Sequence, residues 1–110
     1  MTDRELLELA AKAIGKKLRW WPVVGGDDMP VDESYEEFYI VWNPLASKGC
    51  ALDLAVNLKM GVSQHDGYAA AQFFYDVAWN VFKEEHKGDP VKATCRAIVR
   101  AAAEIGRNMK

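Results

Sequence analysis

This chain has little of what small proteins use for chemistry. It holds two cysteines, Cys50 and Cys95, and two histidines, His65 and His86. Their spacing contains no Cys-x-x-Cys or His-x-x-x-His pair, which argues against a compact zinc site. So few cysteines also argue against a disulfide framework and for reduced thiols in a cytosolic setting. No serine sits in a Gly-x-Ser-x-Gly elbow, and no serine or cysteine has a context that would activate it. Phosphate-cradling glycine loops are absent too, since Gly25-Gly26 runs into Asp27 and Asp28, which repel phosphate. No apolar run is long enough to span a bilayer. Met1-Thr2-Asp3-Arg4-Glu5 reads as the start of a charged helix, not as a signal peptide. A net charge of −2 creates no strong field toward nucleic acid or membrane. From these absences we expect no catalytic residues, no metal, no cofactor and no membrane attachment.

What is present is an ordinary globular composition, 50% hydrophobic and 27% charged, over a length that suits one domain spanning residues 1–110. Four tryptophans are the sharper detail, at positions 20, 21, 42 and 79. Thr2 and Glu5 form a capping box, with Leu6, Leu9, Ala10, Ala13 and Ile14 as the stripe of a first helix that Gly15 and Lys16-Lys17 end. Leu18 to Val24 reads as a short strand, followed by an acidic loop through Ser34. Tyr35 to Trp42 reads as a strand rich in aromatic and β-branched residues, stopped by Asn43-Pro44. Ser47 to Gly49 can open a second helix with Ala51, Leu54, Ala55 and Leu58 facing the core.

Gly61 to His65, then Asp66-Gly67, then Tyr68 onward predicts a hairpin on a type I′ turn. Residues 68–83 fit two periods, strand and helix, and their aromatic and β-branched content favours two strands with a break near Asp76. The last helix starts at Asp89 as N-cap with Pro90 as its first residue. Val91, Thr94, Cys95, Ile98, Ala101, Ala102 and Ile105 are its expected core stripe. Lys92, Arg96, Arg100 and Arg107 fall on the other side, with an expected Arg100–Glu104 pair, and Gly106 is read as part of the stop. The order α-β-β-α-β-β-α predicts an α+β fold: one antiparallel sheet of about four to five strands with helices packed on one face. Trp20 and Trp21, being adjacent, must point to opposite sides of a strand.

Trp42-Asn43-Pro44-Leu45 is read as structural: Pro44 holds Asn43 extended, the Asn43 side chain caps a turn, and Trp42 packs. Asp27, Asp28, Asp32 and Glu33 are read as a solvated loop, because catalysis needs carboxylates held rigidly. The cationic strip on the last helix could meet phosphates or an acidic protein surface, but the overall acidity disfavours nucleic acid. The candidate partner-binding residues are therefore Trp20, Trp21, Tyr35 and Tyr39 with the cations Lys92, Arg96, Arg100 and Arg107, the aromatic and arginine types that carry interface energy.

Trp42-Asn43-Pro44-Leu45, Ala51-Leu52-Asp53-Leu54-Ala55-Val56-Asn57-Leu58 and Asp89-Pro90 followed by Arg96-Ala97-Ile98-Val99-Arg100-Ala101-Ala102-Ala103-Glu104-Ile105-Gly106 together resemble NinX-like small phage and prophage proteins. The segment Glu5-Leu6-Leu7-Glu8-Leu9-Ala10-Ala11-Lys12-Ala13 is similar to theirs as well. The resemblance implies a phage-encoded accessory protein working in the host bacterial cytoplasm, and it supplies no catalytic residues. With small size and no catalytic motif, it leads to an expectation: a non-enzymatic protein, alone or as a homo-oligomer, that binds and antagonises a bacterial host protein. A defence-complex subunit of the CRISPR-Cas kind is one such partner. The alternatives are an oligomer that sequesters a nucleotide signal and a nucleic-acid binder in phage replication or recombination.

Overall fold

A computed structural model describes residues 1–33, 40–75 and 77–109 of the chain. Helix α1 (Asp3–Ala13) begins as the sequence predicts, with the Thr2 hydroxyl accepting from the Glu5 backbone N–H at 3.1 Å. It ends in a Schellman motif. Gly15 takes φ 73°, its N–H donates to the Lys12 carbonyl, and the Lys16 N–H donates back to Ala11. Lys16 then reaches the Asp32 carboxylate at 2.6 Å, which gives a charge only 2% exposed a cationic partner.

Strands β1 (Leu18–Trp21) and β2 (Met29–Asp32) pair antiparallel, Leu18 opposite Asp32 and Trp21 opposite Met29. Residues 40–42 run along the other side of β2, with Trp42 N–H donating to Pro30 and Asp32 N–H donating to Ile40. Tyr35 and Tyr39, and most of the strand expected over 35–42, lie outside the described residues. At Asn43 the side-chain oxygen accepts from the Leu45 N–H at 3.2 Å, the turn-capping role expected of it. Trp42 is buried, and its Nε1 has no hydrogen-bond partner among the described residues.

Helix α2 (Lys48–Asn57) is capped by the Ser47 hydroxyl and buries Ala51, Leu54 and Ala55. It too closes with a Schellman pair, Lys59 N–H to Val56 and Met60 N–H to Ala55, but here Lys59 occupies the left-handed position at φ 54°. Strands β3 (Gly61–His65), β4 (Tyr68–Tyr75) and β5 (Ala78–Glu85) form an antiparallel sheet in that order. The window 68–83 is thus two strands. The hairpin at Asp66-Gly67 forms, but only Gly67 has a positive φ, so the turn is not the type I′ predicted.

The described residues therefore hold two antiparallel sheets, of two and three strands, and not the single sheet of four to five strands expected. The α+β class stands, with α-β-β-α-β-β-β-α as the order of elements. Among the described residues each strand pairs with a chain neighbour. The one segment placed to extend β2 stops at Pro44, and α2 intervenes before β3.

Helix α3 (Pro90–Arg107) is the hub. It lies on β4 and β5 and carries α1 and α2 on its other sides. A helix covered on several sides cannot have a single core stripe. Beyond the predicted Cys95, Ile98, Ala101 and Ala102, it buries Ala93, Ala97, Val99, Ala103 and Gly106, while Val91 is half exposed. Gly106 is not the stop: α3 runs past it to Arg107, and Asn108 is the C-cap. A Cβ on Gly106 would overlap the Leu9 carbonyl oxygen of α1, so glycine is there to let two backbones touch. The stripe of α1 shifts for the same reason, to Leu6, Leu7, Ala10 and Ala11.

Candidate functional site

The cations of α3 share one side of the helix, yet three of the four are committed to neighbours. Arg96 bonds Asp3 at 3.0 Å and Glu84 at 3.4 Å. Arg100 bonds the same Glu84 carboxylate at 3.0 Å, donates to the Lys83 carbonyl at 3.0 Å, and lies 5.5 Å over the Phe82 ring. It thereby covers a main-chain acceptor on the outer strand of the sheet, the kind of group that an unprotected edge offers to another chain. Arg107 pairs with Glu104 at 2.7 Å, so the expected Arg100–Glu104 pair is replaced by this one. The strip is a set of intramolecular braces more than a free cationic surface.

Trp20 and Trp21 do face opposite ways: along β1 the residues alternate between half-buried and exposed, with Trp20 inward. The Trp20 indole N–H donates to Glu8 at 2.9 Å and its ring takes the Arg4 guanidinium at 4.5 Å. Trp20 and Lys92 meet in a cleft of about 740 Å³ between α1, the acidic loop and the 43–46 turn. Asp3, Asp27 and Asp28 line it beside Arg4, and Arg4 bonds Asp28 at 3.4 Å. Three carboxylates make this a poor place for a phosphate. Trp21, and Arg100 and Arg107 of α3, do not line this cleft.

The three-stranded sheet shows a surface that the sequence reading missed. Gln64 bonds Thr94 of α3 at 2.6 Å, and Ala71, Phe73 and Phe82 join the core or pack against it. Residues of the opposite parity then face outward. On that open face Phe74 and Trp79 stand directly across from each other on β4 and β5, ring centroids 5.4 Å apart and edge to face. They are 60% and 62% exposed, and Val81 beside them is 46% exposed. The hairpin tip adds Tyr75 and Val77, the latter at φ 63°, a strained conformation for a β-branched residue. Alternation in the sequence pointed to strands here. It could not say whether Phe73 or Phe74 faces in, because only the docking of α3 chooses the parity.

Ser63 and His65 on the same open face approach to 2.9 Å, and the imidazole stacks on Tyr68 at 4.5 Å. The pair is open to water, without the enclosure that turns a hydroxyl into a nucleophile. Burial pushes the Cys95 thiol up from its ordinary range, with the nearby Asp89 carboxylate adding to the effect, which makes it a poorer nucleophile than a free thiol. Among the described residues no three His, Cys, Asp or Glu side chains gather where they could share a metal ion, and no helix is long and apolar enough to cross a membrane.

A second apolar surface lies on the far flank of α3. It is a groove of about 470 Å³ between α2, β3 and the start of α3. Comparison with models of known protein families, with curated proteins and with solved structures finds no match to this chain.

Proposed function

We propose that this chain is a non-enzymatic binding protein that presents the open face of β3–β5 to another protein and antagonises it. The partner in this reading is a bacterial host factor, such as a subunit of a defence complex. The single observation that carries the binding role is the exposed Phe74–Trp79 pair with Val81 at its side. Two large aromatics held in fixed geometry on a rigid sheet lose little entropy on binding, and such residues dominate interface energies. Soluble domains seldom leave such a cluster in water without use. The strained Val77 at the adjoining tip fits, since backbone strain persists where function selects it. The choice of a host factor rests on the resemblance of residues 5–13, 42–45, 51–58, 89–90 and 96–106 to phage proteins.

The test is co-purification from a bacterial host together with plaquing on defence-carrying cells. Tagged wild-type chain should retain a host protein and restore plaquing. Trp79→Ala should weaken that capture by about 2 kcal/mol, roughly thirtyfold, with the fold intact because the ring is exposed. Failure of the wild type to retain any host protein, with plaquing unchanged, ends this reading.

A further inference from the structure

We propose that the groove between α2, β3 and α3 binds a linear alkyl carboxylate, with the chain along the trough and the carboxylate at Lys48. The walls are Ala51, Leu52 and Ala55 of α2, Val62 of β3, and Val91 and Ile98 of α3. Leu52, Val62 and Val91 are 62%, 42% and 50% exposed, so the rim is apolar surface standing in water. The alanines between them leave the space. At about 470 Å³ it falls within the roughly 300–1,000 Å³ of small-ligand sites.

The polar groups of the lining decide what the ligand's other end must be. Gln64 and Thr94 are spent on each other, and the Thr94 hydroxyl donates on to the Pro90 carbonyl at 2.7 Å. That leaves Lys48, the one charged residue in the lining, which forms no ion pair with the described residues. Lys48 is the first residue of α2, at the positive end of the helix dipole, where a cation is disfavoured and an anion is favoured. Neither α2 nor α3 carries an acid in its first turn to offset that field. Asp89, the N-cap of α3, is the nearby carboxylate; it accepts from the Lys92 N–H at the positive end of its own helix and forms no ion pair with Lys48. An apolar trough whose lining holds one cation without an ion pair is complementary to an apolar body with one anionic end. A second copy of the chain, related by a twofold axis, would bring another Lys48 to the patch and no acid from its own lining.

Decanoate and decyltrimethylammonium, each below its micellar concentration, and decanol, below its solubility limit, are the probes, read by methyl NMR on Leu52, Val62, Val91 and Ile98. Decanoate should saturate with shifts confined to these methyls, leave Val81 unmoved, and bind at least fivefold tighter than decyltrimethylammonium. Lys48→Met, a substitution at an exposed position, should weaken decanoate about fivefold and leave decanol unchanged. Equal affinity for all three probes would overturn the proposal, as would a lack of saturation. So would a doubled mass in sedimentation with these methyls already broadened, since a second copy would then own the face. The groove is separate from the Phe74–Trp79 face, so either proposal can fail alone.

Discussion

The two flanks of α3 are built from similar small residues and end in opposite states. Toward α1, Ala10 and Ala11 meet a helix that offers Ala102, Ala103 and Gly106, and the backbones close until no Cβ would fit at Gly106. Toward α2, Ala51 and Ala55 also face α3, but Leu52 and Val56 turn outward, and a groove remains between the elements. Small residues permit close approach without enforcing it. The α1 flank closes at Gly106, which lies against the Leu9 carbonyl, with Leu6 and Leu7 buried in the same core. On the α2 flank Val62 of β3 lines the third side of the groove that remains.

The sharpest way to break this comparison is Gly106→Ala. In an unconstrained helix that change stabilises by about 1 kcal/mol. Here the methyl meets the Leu9 carbonyl, so we expect a loss of about 3 kcal/mol, and a Tm lower by more than about 10 °C, in denaturation experiments. A neutral result would mean that the α1–α3 seam is not tightly closed. A smaller effect of opposite sign is expected on the other flank. Lys59→Gly relieves a left-handed φ of 54° at the end of α2 and should raise stability by about 0.5–1 kcal/mol in urea titration. The smallest effect belongs to the groove itself: Leu52→Lys should change stability by no more than about 0.5 kcal/mol, because the side chain is 62% exposed. If Leu52→Lys instead costs as much as a core substitution, the α2 flank is not the open one.

Local signals were legible wherever one residue's chemistry settles a boundary. Thr2, Ser47 and Asp89 each cap the helix they precede, and Gly15 ends the first one in the left-handed conformation. The Asp66-Gly67 hairpin and the division of 68–83 into two strands, β4 ending at Tyr75 and β5 beginning at Ala78, were readable from turn chemistry and from alternation. Candidate surfaces were less legible. Trp20 looked like an exposed anchor and is braced by Glu8 and Arg4. Arg96 and Arg100 looked like a free strip and hold Glu84 across the edge of the sheet. Sequence adjacency says nothing of these partners, which come from elements far along the chain.

By itself, then, the sequence determined the three helices, the strands β3 to β5 and the α+β class, because caps, turns and periodicity act over a few residues; it missed β2, which lies in residues read as an acidic loop and buries Asp32. Tertiary structure decided that the strands divide into two sheets, that Phe74 and Trp79 face water, and that Gly106 is a contact point instead of a stop. Those outcomes depend on which face of one element meets which face of another. A pattern of period two or of about 3.6 leaves that choice open until a third element, here α3, packs against it.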